Sequence, residues 1–165
     1  MARKEESKLR ERITTALRPL KAFAVENPVL PGTPDVYYDG KTRWTHHGDY
    51  EDECPESSYH GWIEAKRGVL PARASTKFSV EIRPGQKPFW VDAHQRGAVV
   101  HVLVQVEPRR SEDSNCYLWL DGKNAADHLD VSTFDILREV ARNSIQLYPG
   151  DNKSLFRWIR RCVMM

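Results

Sequence analysis

The chain has 165 residues, 40% of them hydrophobic, and a formal net charge of +2. That length fits one domain, or one domain with an appendage, and the apolar fraction supports a single core although it lies below the usual average. No apolar run approaches the roughly 20 residues a membrane span needs, which excludes a helical span, and no membrane partner is expected.

Taken in order, residues 1–21 carry seven basic and three acidic side chains. The opening Met1-Ala2-Arg3-Lys4-Glu5-Glu6 has no apolar segment of the signal-peptide kind. Residues 3–19 predict an amphipathic helix, because Leu9, Ile13 and Leu17 recur at helical spacing and Arg18-Pro19 marks an end. Residues 20–34 read as a proline-rich loop in which Gly32 permits a tight approach to the first strand. Residues 36–38 predict that strand, and Asp39-Gly40 is a turn signal. The stretch 41–60 turns polar and acidic, five acids against two bases, and reads as a long hairpin loop. Its His46, His47, Cys54 and His60 do not make a zinc site, which wants close ligand pairs at both ends. Trp44 and Tyr50 in the same loop are available for contact with a partner.

A second β-branched and aromatic run follows at Gly61-Trp62-Ile63-Glu64-Ala65-Lys66. Side chains alternate along a strand, so Glu64 and Lys66 share a face while Ile63 and Ala65 point to a core. If this run pairs with the one opened by Pro34-Asp35, the carboxylates of Asp35 and Glu64 converge beside one ammonium. Two carboxylates in oxygen-only surroundings suit Mg²⁺. A lysine beside them can orient a water or steady charge developing on a phosphate.

Residues 77–82 alternate enough to predict a third strand. A helix is expected over 86–96, ended by Gly97, with Gln86, Trp90 and Ala93 on one face. His94 reads as structural or solvent-facing. Residues 98–106 are nearly continuous apolar, the mark of a strand buried on both faces. After a charged linker, residues 115–120 read as a further strand closed by Asp121-Gly122. Ser132 and Asp135 form a capping-box pattern at the start of a helix through about residue 142. Asp151 opens a last helix whose Leu155, Phe156 and Ile159 oppose Lys153, Arg157 and Arg161. The three cysteines, Cys54, Cys116 and Cys162, are far apart and odd in number. That argues against a disulfide framework and for a reducing, cytoplasmic setting.

The ordered set Pro31-Gly32-Thr33-Pro34-Asp35-Val36, Trp62-Ile63-Glu64-Ala65-Lys66, and Arg83-Pro84-Gly85-Gln86 leading to Trp90 and Gly97 resembles the PD-(D/E)XK nuclease superfamily. Within it, the pattern is similar to the VRR-NUC branch, which includes small phage nucleases and is akin to Holliday-junction resolvases. The resemblance covers roughly residues 5 to 107. It implies an α/β fold with a restriction-endonuclease-like αβββαβ core and a central mixed sheet. The core would span 1–110, with a C-terminal extension, 111–165, packed on it.

For chemistry, the resemblance implies a Mg²⁺-dependent DNA endonuclease, with Mn²⁺ as a substitute and duplex or branched DNA as partner. Asp35, Glu64 and the Ala65 carbonyl would hold the metal, and Lys66 would position or activate water. Glu6 would add an acid from the first helix, against the bland alternative of a solvated first-turn glutamate favouring the helix dipole. Gln86 would point to the catalytic centre, against the alternative of a buried amide capping nearby backbone. Arg67, Arg83 and Lys87 are the expected DNA contacts. They fall in 61–110, where nine basic side chains outnumber four acidic ones. Two other classes stay open: a catalytically silent nucleic-acid-binding protein on the same fold, and a Mg²⁺-dependent hydrolase of small phosphate esters. The second lacks a Gly-rich phosphate cradle. A homodimer is left open as well.

Overall fold

Strands form where β-branched and aromatic residues cluster, and among the described residues they join into one six-stranded mixed sheet. The structure, a computed structural model, describes residues 2–25, 32–42, 57–110 and 114–165; the side chains of residues 2–6, 42, 57 and 58 also lie outside the described set. Strands β1 (Phe23–Ala24), β2 (Val36–Thr42), β3 (Ser57–Val69), β4 (Val100–Glu107), β5 (Asn115–Asp121) and β6 (Asn143–Leu147) lie side by side in that order. Only β3 and β4 are parallel among these neighbours. A parallel pair needs a crossover, and helix α2 (Gln86–Gln95) lies within it.

Helix α1 (Ala2–Ala16) and helix α5 (Asn152–Val163) cover one face of the sheet. Their Leu9, Ile13, Leu155 and Ile159 are buried in one cluster with Ile63, Ala65, Leu103 and Trp119. Helices α2, α3 (Gly122–His128) and α4 (Phe134–Val140) cover the other face. There Trp90, Ala125 and Leu137 pack with Val102, Val104 and Leu118. β4 is thus buried on both faces, as its run of valines implies. The result is a three-layer α/β domain. Residues beyond 110 supply two of its strands and part of both apolar layers.

Several elements differ from the sequence reading, each for a local reason. Residues 77–82 are not a strand. Phe78 and Val80 are buried and Ser79 and Glu81 exposed, so the alternation is real, but the backbone finds only a single bridge, Lys77 to Thr133. Alternating burial needs a surface to pack on, not a ladder. The first of the three strands before α2 is instead Phe23–Ala24, inside the expected proline-rich loop, too short to show a period. Through β4 the order is still helix, three strands, helix, strand.

Asp39-Gly40 is not a turn either. Both lie within β2, opposite His60 and Tyr59, and the β2–β3 ladder continues to Thr42 and Ser57. Residues 43–56, with Trp44, His46, His47, Tyr50 and Cys54, lie outside the described residues. The first helix ends at Ala16 rather than 19, because Pro19 lacks an N–H and restricts Arg18; residues Arg18–Leu20 form a single 3-10 turn. Asp121 does more than close a strand: its carboxylate accepts from the Asn124 N–H at 2.8 Å and caps α3. The expected capping box at Ser132 is absent. Thr133 is the N-cap of α4, without a side-chain cap bond, and Ser132 Oγ instead meets His128 Nδ1 at 3.1 Å. Asp151 caps α5 through the Ser154 N–H.

Candidate active site

The β2–β3 register sets the site. Val36 lies opposite Ile63, so Asp35 and Glu64 occupy the next row, where β2 stops and β3 runs on to Val69 along β4. Past Ile63, the edge of β3 that faced β2 therefore needs another partner. Asp35 provides it: its Oδ2 accepts from the Ala65 N–H at 3.0 Å. The N–H and C=O of one strand residue face the same edge, so the Ala65 carbonyl is turned to the side where Asp35 sits. The Asp35 backbone is held in turn, its carbonyl accepting from the Val25 N–H at 2.8 Å.

Glu64 and Lys66 point to the opposite face from Ile63 and Ala65, under α2. Each is 1% exposed, while Asp35 is half-buried. The group is sealed at the Glu64–Lys66 end and opens towards solvent at Asp35. Glu64 Oε1 takes two donors, Lys66 Nζ at 2.9 Å and Gln86 Nε2 at 2.6 Å. Glu64 Oε2 is buried and has no hydrogen-bond partner among the described residues. Burial pushes the Glu64 carboxyl up to about 8; the nearby Asp35 charge adds to the shift, and Lys66 and Gln86 oppose it.

Gln86 uses both ends of its amide. Its Oε1 accepts from the Arg83 N–H at 2.8 Å, which caps neighbouring backbone, and its Nε2 reaches Glu64. What brings α2 so close is a contact between two glycines. A Cβ on Gly32 would stand 2.3 Å from the Gly85 carbonyl oxygen, and both residues have positive φ, 93° and 90°. The close approach expected of Gly32 is therefore to the start of α2, not to the first strand. Its signal was the presence of glycine in both Pro-Gly-Thr-Pro and Arg-Pro-Gly-Gln.

The expected DNA contacts are dispersed. Arg83 is exposed beside the site. Arg67 falls on the Ala65 face, away from Glu64, and is ion-paired with Glu107. Lys87 donates to the Leu129 carbonyl at 2.7 Å, tying α2 to the end of α3. Glu6 lies in α1, but its side chain is outside the described residues.

The donors present fit a hard divalent cation. Mg²⁺ usually takes one or two carboxylates and keeps several waters. Asp35, the unpartnered Glu64 Oε2 and the Ala65 carbonyl are such a set of oxygens. Among the described residues no three His, Cys, Asp or Glu side chains cluster, so waters would complete the shell.

No family model, curated protein or solved structure matches this chain. A fold alone does not fix function, so the reading rests on the chemistry of the site.

Proposed function

We propose that the protein is a Mg²⁺-dependent DNA endonuclease of the PD-(D/E)XK type, with a restriction-endonuclease-like core. The observation that carries the reading is the buried Glu64 Oε2, without a partner among the described residues and set beside Asp35 and Lys66 where β2 leaves β3. A buried carboxylate oxygen left unpaired is costly and asks for a reason. A cation ligand is one. The element order from α1 to β4 is also the order the family resemblance implies.

In this reading Asp35, Glu64 and the Ala65 carbonyl hold the metal, which when bound supplies Lewis acidity at a phosphoryl oxygen and a more acidic water. The chain's own groups do the rest. The Ala65 N–H fixes one oxygen of Asp35, and Gln86 with Lys66 fixes one oxygen of Glu64, so each carboxylate keeps its second oxygen. Lys66 places a positive charge where the phosphate gains negative charge in the transition state, preorganised by its ion pair. Arg83 offers a cation to the neighbouring backbone phosphates. Among the described residues no base-reading element is evident, so backbone and shape should govern recognition.

Purified protein is incubated with supercoiled plasmid, linear duplex, flap and four-way junction, in Mg²⁺, Mn²⁺ or EDTA. Cleavage in either metal and none in EDTA is expected. Binding of these DNAs without any cleavage would replace the proposal by a silent binding protein on the same fold.

A further inference from the structure

Across the same face of the sheet runs a row of aromatic rings that the proposed chemistry does not use. Phe23 of β1 lies opposite Tyr37 of β2, which lies opposite Trp62 of β3, and Phe89 of α2 completes the row. Ring centroids are 5.5 Å apart for Phe23–Tyr37, 4.8 Å for Tyr37–Trp62 and 6.2 Å for Trp62–Phe89. Phe23 is 53% exposed, and Tyr37, Trp62 and Phe89 are partly exposed. Trp62 is two residues from Glu64 along β3, so the row and the Glu64 carboxylate share a face about 7 Å apart at the usual strand rise, and Asp35 comes just before β2, two residues from Tyr37.

We propose that this row is a stacking platform for the unpaired bases of a DNA strand whose backbone lies at the Asp35–Glu64 site, so that single-stranded character directs substrate choice. The inference rests on the nuclease reading and specifies its substrate. Bases present a π-face whatever their sequence, and aromatic side chains beside a cationic track are how proteins hold single strands. The surroundings match a polyanion. On this face Lys41 and His60 are exposed beyond the row, Lys21 is exposed just before β1, and Arg83 is exposed at the start of α2; Asp39 is the acid among them. Within a duplex the bases are stacked on each other and the row has nothing to receive. A strand freed at a flap, nick or junction can lay a base on Tyr37 or Trp62.

Cross-strand aromatic pairs also stabilise sheets by themselves, so the test must separate bases from phosphates. Binding to the full-length protein is measured in EDTA by fluorescence anisotropy. The ligands are a labelled thymidine oligomer of about 15 bases, an abasic strand of the same length, and a blunt duplex. The thymidine oligomer should bind roughly tenfold more tightly than either of the others, the scale of stacking one base. Phe23→Ala, at the exposed end of the row, should lose about fivefold on the thymidine oligomer and nothing on the abasic strand. Equal affinity for thymidine and abasic strands, or an unchanged Phe23→Ala, would overturn the platform. Neither result bears on metal-dependent cleavage of plasmid, so the two proposals fail separately.

Discussion

Glu64 is where the site meets the chain's stability. Its carboxyl titrates at about 8 in the folded, metal-free protein, above the ordinary value of 4.5. Below 4.5 both folded and unfolded states hold the proton and the group contributes no difference. Between 4.5 and 8 the unfolded state releases its proton first and is favoured, so metal-free stability falls across that window and levels off above it. A cation on Glu64 displaces that proton, and its affinity should rise with pH. The melting temperature should therefore gain more from millimolar Mg²⁺ at pH 9 than at pH 6, and Glu64→Gln should flatten the difference. An equal gain at both pH values would separate Glu64 from the metal. The two glycines make a second residue-scale case. Gly32→Ala would place a methyl 2.3 Å from the Gly85 carbonyl oxygen at a positive φ, whereas Gly97, also at positive φ, has nothing within 4 Å of a Cβ. Gly97→Ala should cost on the order of 1 kcal/mol of unfolding free energy and Gly32→Ala clearly more, by urea titration.

At the scale of elements, α5 shows how the last third of the chain is joined to the rest. Its Leu155 and Ile159 are buried with Leu9 and Ile13 of α1 and Ile63 beneath them, while Arg157 is exposed. Ile159→Ala should cost about 2–5 kcal/mol in urea unfolding, and Arg157→Ala no more than about 0.5 kcal/mol. A single transition should be seen in both variants. The amphipathic helices and the buried strand β4 were legible in the sequence because each carries a period or an unbroken apolar run of useful length. The two-residue strand at Phe23 carries neither, and the five-residue strand at Asn143 alternates in burial but has only Ile145 and Leu147 as apolar positions to show it. Residues 77–82 mislead in the other direction, since Phe78 and Val80 alternate with exposed neighbours while their backbone stays almost unpaired. For the site, Glu64, Lys66 and Gln86 could be placed from motif and alternation. That Arg67 turns to Glu107 and Lys87 to Leu129 depends on tertiary neighbours no local pattern encodes.

Over the whole molecule the net charge is only +2, so affinity for a phosphate backbone has to come from where cations lie rather than from their number. DNA affinity should fall with salt along a log-log slope of about −0.9 for each duplex phosphate contacted. Arg83→Glu should weaken binding and flatten the slope by about one contact. Arg67→Glu and Lys87→Glu should act first on stability, because each breaks an internal pairing. A salt-independent affinity would point away from a phosphate partner. The central claim is that Asp35, Glu64 and Lys66 form one metal-dependent hydrolytic centre, and shape-preserving variants test it most directly. Asp35→Asn keeps an acceptor for the Ala65 N–H, Glu64→Gln keeps an acceptor for Gln86, and Lys66→Met keeps the volume of a buried side chain. The measurement is the plasmid nicking rate in Mg²⁺ for these three variants and wild type, each checked for an intact melting transition. Asp35→Asn and Glu64→Gln are expected to abolish nicking, and Lys66→Met to slow it roughly 10²–10³-fold, the scale of one preorganised electrostatic group. Wild-type nicking by folded Asp35→Asn and Glu64→Gln proteins would contradict the claim and place the chemistry elsewhere.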